Sequence, residues 1–180
     1  LVGAEMCIRD RTLPKGRKQK TTALYDRFVA KGAVMGDSFG LESVLWFANN
    51  PKDAYEDPTI KRSRSHNYVS KEVKNVRENV GVTEIANFSK HEFQGRDARK
   101  FLDYVLAGRI PKPGRICLNP MLTPKGKLYG DLTVACLNDN KFIVFGSGAV
   151  QEMHRRWFES HLKNFDIIYK NRSDDFHGLA

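Results

Sequence analysis

Three cysteines are too few in this 180-residue chain to build a framework. Cys7, Cys117 and Cys136 make an odd set without a CxxC pair, which excludes a disulfide scaffold and a zinc finger. Cys136 falls inside an apolar strand pattern and reads as a small core residue. A reducing compartment is the natural expectation. No run of about 18 apolar residues occurs, so no transmembrane helix is expected. An apolar segment ahead of a small-residue cleavage site is also lacking, so secretion is not expected. There is no internal repeat and no low-complexity tract. His154 and His161 could share a helix face, but no HExxH or third ligand accompanies them, so no metal is expected and both read as surface or boundary residues.

What is present is positive charge and enough apolar material for a core. The formal net charge is +9, and 41% of the residues are hydrophobic. The excess suits anionic partners such as nucleic acid, phosphates or polycarboxylates without choosing among them. The basic clusters, Lys15 to Lys20 and Lys61-Arg62 with Arg64, lack the interleaved aromatics that stack bases, so a nucleic-acid module is the weaker reading.

Leu1 to Arg11 reads as foreign. Met6 to Arg11 back-translates to a transposase adapter used in sequencing libraries. We expect residues 1–11 to be a translated scar, to be set aside in fold reasoning. Its Arg9 and Arg11 cancel Glu5 and Asp10, so the net charge is unaffected.

Beyond it, Thr12 to Lys20 reads as a basic arm. Thr22 to Lys31 is a short helix stopped by Gly32. Ser43 to Phe47 is a strand, and Asn49 to Ser65 a long polar loop. His66 to Val80 has valines at 69, 73, 76 and 80, the spacing of one helix face. Val82 to Phe88 and His91 to Gln94 read as strands. Arg96 to Ala107 is an amphipathic helix with Ala98, Phe101, Leu102, Val105 and Leu106 on one side. Ile116 to Met121, Leu128 to Leu137 and Lys141 to Phe145 follow as strands. Ala149 to Leu162 is a helix with Val150, Met153, Trp157 and Leu162 inward, and Phe165 to Tyr169 a last strand. The order predicts an α+β fold, a split β-α-β ferredoxin-like mixed or antiparallel sheet with packed helices.

Two motifs invite chemistry. Phe142 to Gln151 leads from a strand through Gly146-Ser147-Gly148 into a helix, like a dinucleotide-binding turn, but Gln151 stands where a third glycine belongs and the strand sits in a hairpin. In Leu128 to Leu137, Leu128, Leu132, Val134 and Cys136 alternate with Tyr129, Asp131 and Thr133. Asp131 is either an ordinary surface carboxylate or one held on a rigid element and aimed into a cleft.

The chain as a whole resembles the folate-side region of dimethylglycine and sarcosine dehydrogenases, a region related to glycine-cleavage T-proteins. Tyr25-Asp26-Arg27, Lys31 to Gly36, Phe39 to Glu42 and Trp46-Phe47 are similar to the segment joining the flavin and folate parts. Glu72 with Val76 to Gly81 resembles the first folate-domain helix. Phe88, Lys90, Gly95, Asp97-Ala98 and Phe101-Leu102 are similar to F-x-K-x-x-x-x-G-x-D-A-x-x-F-L. Gly126 with Asp131 to Val134 resembles the shared G-x-x-x-x-D-L-x-V strand. The likeness spans residues 12–180. It departs at Leu41 to Val44, at Glu84 and Ala86, and at Gly130, where T-proteins commonly carry a first Asp.

The resemblance implies a fragment of a partial aminomethyltransferase folate-binding domain. Residues 12–65 would be a linker from a missing FAD-oxidoreductase domain, and residues 66–180 the N-terminal part of the folate-binding domain. It implies an enzyme that passes the one-carbon unit of dimethylglycine or sarcosine to tetrahydrofolate, with FAD in the upstream domain. The partners would be tetrahydrofolate polyglutamate and a small methylated amine, in the cytoplasm or, in a eukaryote, the mitochondrial matrix. Asp131 would be the catalytic carboxylate, and Asp131 with Tyr129 would contact the cofactor. A standalone T-protein-like aminomethyltransferase or another tetrahydrofolate-dependent demethylase is the alternative, and the Tyr25–Phe47 junction distinguishes them. A basic nucleic-acid-binding module is the alternative of another class, distinguished by salt-sensitive binding without folate competition.

Overall fold

The computed structural model describes residues 16–55 and 59–180. The suspected scar and Thr12 to Lys15 of the basic arm lie outside them. By contacts the chain divides into two compact units, Leu1–Thr83 with Ala180, and Glu84–Leu179.

In the first unit, helix α1 (Tyr25–Ala30) leads to a hairpin of β1 (Ala33–Ser38) and β2 (Leu41–Phe47), then α2 (Ser65–Glu78). Gly32 has φ +85°, and a side chain there would strike the Ala48 carbonyl, which is why the helix stops at a glycine. β1 escaped the sequence reading because Ala33 to Ser38 carries little apolar alternation. The expected loop from Asn49 contains a short 3-10 turn, Pro51–Asp53, capped by the Asn50 side chain.

The core here is small: Val34, Trp46 and Ala48, with Tyr68 of α2 stacked on Trp46 at 5.0 Å. Polar clips supplement it. The Glu42 carboxylate, buried, accepts both Arg17 guanidinium arms and the Lys18 backbone N–H. Arg17 comes first among the causes that hold the Glu42 carboxyl below its ordinary pKa. The Phe47 backbone N–H donates to Glu72 at 3.1 Å, and the Tyr68 hydroxyl to Asp53 at 2.7 Å. The valine stripe of α2 was expected to be a buried face; instead no residue of this helix is buried, and Val76 is 59% exposed. The helix docks through Tyr68 and Glu72, and the valines lie on another side.

The second unit runs β3 (Phe88–Gln94), α3 (Ala98–Val105), β4 (Ile116–Leu122), β5 (Leu128–Asn138), β6 (Lys141–Ser147), α4 (Gln151–His161), β7 (Ile168–Asn171). The strands form one sheet in the order β4-β5-β6-β3-β7, with every neighbouring pair antiparallel. Leaving out β4, that is the split β-α-β arrangement expected from the sequence: α3 carries the chain from β3 across to β5, and β6 inserts between them. β4 is an added edge strand, and its Pro120, which has no N–H to donate, is tolerated at an edge. Of the strand expected over Val82 to Phe88, only Phe88 lies in one, at the start of β3, and the rest pairs through a single bridge, Glu84 with Leu179.

Both helices cover one face of the sheet. Phe93, Leu132, Val134, Phe142 and Val144 from the strands meet Ala98, Phe101 and Leu102 of α3 and Phe158 of α4. Phe93 alone lies within 5.0–5.3 Å of the rings of Phe101, Phe158 and Tyr169. Burying each such phenyl ring contributes about 2–3 kcal/mol.

Candidate functional site

The site starts from strand alternation. Leu132 and Val134 pack under the helices, so Asp131 and Thr133 face the other way, and Asp131 is exposed there. Its partners across β4 are Pro120 opposite Asp131 and Leu118 opposite Thr133. Leu118 and Ile116, both 68% exposed, give this end of the face an apolar border. Towards β3 the same face closes over. Lys90 is buried, its ammonium donating to the carbonyls of Phe88 at 2.7 Å and Ala86 at 3.4 Å, and Glu92 pairs with Lys141 at 3.2 Å. The open part of the face is therefore the β4-β5 end, where Asp131 stands.

Tyr129 does not join it. The register slips between Met121 and Leu122, which pair with Gly130 and Leu128, and Tyr129 is the extra residue of a β-bulge. The bulge breaks the alternation. Tyr129 turns to the helix side and stacks on Trp157 of α4 at 4.5 Å, while Leu128, expected inward, is 67% exposed. The structure thus places Asp131 and Tyr129 two residues apart on one strand but on different sides of the sheet.

On the helix side sits a polar cluster the sequence reading missed. His154, expected at the surface or its boundary, is 1% exposed, and neither of its ring nitrogens makes a hydrogen bond of good geometry. Its ring lies against two glycines on adjacent strands. A Cβ at Gly130 would come within 2.9 Å of Nε2, and one at Gly146 within 2.9 Å of Nδ1. His91 of β3 is also buried, 6.3 Å from His154 between ring centroids, with Nδ1 2.8 Å from the Tyr169 hydroxyl and Nε2 3.1 Å from Ser89 Oγ. Burial, then His154, pushes His91 down to about 4. Burial also lowers His154, the Tyr129 backbone opposing it only in part. Burial comes first, and Glu159 next, in raising the Tyr169 phenol. The signal available in the sequence was the pair of isolated glycines inside strands, which mark a close approach of something bulky.

The Gly146-Ser147-Gly148 turn is explained by packing. Gly146 makes room for His154, and a side chain on Gly148 would strike the Asn87 carbonyl at 2.2 Å. The strand before it is antiparallel to both neighbours, so no phosphate cradle forms and this turn does not fit a flavin. Among the described residues no group of three His, Cys, Asp or Glu could hold a metal ion, and no helix is long and apolar enough to cross a membrane.

The family model of the GCVT N-terminal domain matches residues 24–180, which span both units from α1 onward. This chain belongs to that family. Human mitochondrial dimethylglycine dehydrogenase is 33% identical over 160 residues, covering 87% of this chain and 18% of that protein. An aminomethyltransferase from Staphylococcus carnosus is 25% identical over 163 residues, covering 89% of this chain and 40% of that protein. The chain therefore spans less than half the length of these relatives. In fold it matches the glycine cleavage system aminomethyltransferase T from Bartonella henselae, with a TM-score of 0.68 at 18% identity, covering 86% of this chain and 38% of that one. The partial aminomethyltransferase fold expected from the sequence is the fold found. By contacts, α2 groups with the N-terminal unit.

Proposed function

We propose that this GCVT domain is the folate side of an N-methyl amine dehydrogenase acting on dimethylglycine or sarcosine, and that Asp131 is its working carboxylate. The observation that carries the reading is the position of Asp131: the exposed carboxylate of a central-sheet strand, at the open end of an otherwise closed face. The relatives named above supply the substrate class, and 33% identity to a dehydrogenase against 25% to an aminomethyltransferase favours the dehydrogenase branch.

The residues present fit a reduced folate. Asp131 offers an anionic acceptor to an amine, Leu118 and Ile116 offer apolar surface to a flat ring system, and the net charge of +9 suits an anionic polyglutamate tail. When bound, tetrahydrofolate supplies the amine nitrogens that take up a one-carbon unit. Asp131, held by the strand ladder rather than by a loop, would accept a proton and stabilise positive charge developing beside it. Tyr129, proposed from the resemblance as a second cofactor contact, is already stacked on Trp157, so the geometry favours Asp131 for this role. FAD would belong to a separate domain of the parent protein, with residues 12–65 leading from it. The mitochondrial human relative supports a matrix location if the source is a eukaryote, with the cytoplasm as the location otherwise.

The genomic sequence on either side of this region tests the branch. A flavin-type GxGxxG upstream in the same reading frame supports the dehydrogenase. A frame opening near Thr22 with nothing flavin-like before it points to a standalone aminomethyltransferase.

A further inference from the structure

Helix α4 grips β5 at the two residues immediately before Asp131. Trp157 stacks on Tyr129 at 4.5 Å, and the His154 ring presses on Gly130 from the same side. Those two residues belong to the bulge, the one place where the β4-β5 ladder is irregular and the strand's direction is not set by pairing alone. His154 also rests on Gly146 of β6, so one ring spans two strands. Neither nitrogen of the buried imidazole makes a hydrogen bond of good geometry, and the polar group that acts on the ring is the Tyr129 backbone, a second tie between His154 and the bulge. An aliphatic side chain could fill the same place but would have no polar interaction with the Tyr129 backbone.

We propose that His154 and Trp157 are positioning residues for Asp131: from the far side of the sheet they fix the bulge, and the bulge sets the direction in which the carboxylate is presented. The assignment rests on Asp131 being the working carboxylate. Neither residue touches the open face, and both act through the backbone of Tyr129 and Gly130.

The test uses this chain and two readouts, amide hydrogen exchange at Tyr129 to Asp131 and the dissociation constant for tetrahydrofolate. His154→Ala should speed exchange at these amides at least tenfold relative to those of β3 and β7, and weaken tetrahydrofolate about tenfold. Gly130→Ala should do the same, because its new methyl meets Nε2 and the Met121 methyl at 2.9 and 3.1 Å. The double variant Gly130→Ala with His154→Ala should recover most of both losses, the new methyl occupying the space the ring leaves. A purely structural role would speed exchange at these amides and leave the dissociation constant for tetrahydrofolate unchanged. Should His154→Ala not fold, Trp157→Phe carries the same expectations at smaller size.

Unchanged exchange at Tyr129 to Asp131, or losses that add in the double variant, would overturn the proposal. Asp131→Asn separates it from the reading beneath it. If that variant binds tetrahydrofolate as the parent does while His154→Ala still loosens the bulge, the positioning stands and the role of Asp131 falls.

Discussion

The two faces of the five-stranded sheet are built by opposite rules. The helix face is largely apolar: four buried phenylalanines, with two buried imidazoles set among them. The other face keeps its charges, closing over Lys90 and Glu92 at one end and leaving Asp131 exposed at the other. The helix face therefore holds most of this unit's stability and responds to acid, whereas the open face can change its chemistry with little effect on folding. Each expectation below tests that division.

The largest effect should come from the helix face. Phe93→Ala removes a ring that touches three others and should cost about 3–5 kcal/mol in urea denaturation. Leu118→Ala on the open face should stay within about 0.5 kcal/mol. Similar losses for the two would erase the contrast.

Acid should act through the same face. The folded-state pKa of His91 lies near 4, below the ordinary value of 6.5, so the unfolded chain binds the extra proton between those values. Stability is then fully present above pH 6.5 and declines as pH falls towards 4, by roughly 3 kcal/mol for His91 alone. Lowered His154 adds in the same direction. A denaturation series from pH 7 to pH 4 checks this, and a flat profile would show that the pair is not buried uncharged.

Smaller, at about 1–3 kcal/mol, is the expected loss for Gly148→Ala, whose methyl would run into the Asn87 carbonyl. A neutral outcome would reopen the phosphate-turn reading of that segment. Smallest of all, Asp131→Asn should leave stability within about 0.5 kcal/mol, the mark of a surface carboxylate kept for something other than folding.

How far the sequence reached follows the same division. Strong 3.6-residue periodicity located α3 with its buried Ala98, Phe101, Leu102 and Val105, and strict alternation located β5 from Leu132 to Cys136. From these the sheet order could be anticipated. The face of Asp131 was legible because alternation holds from Gly130 onward, and its proposed role came from the family resemblance alone. The face of Tyr129 was misjudged because a bulge inserts one residue without a local signature, reversing the face of everything before it. His154 was misjudged because its burial depends on two glycines distant in sequence, on strands that meet only in the fold. The valines of α2 show the converse: a helical stripe records a capacity for burial, and in the first unit Tyr68 and Glu72 supply the docking instead.

The central claim is that Asp131 serves a folate. Isothermal titration of tetrahydrofolate into this chain and into its Asp131→Asn variant, at equal stability, measures it most directly. The account expects binding by the parent and a dissociation constant at least tenfold weaker in the variant. Equal dissociation constants, or no binding by either, would contradict it.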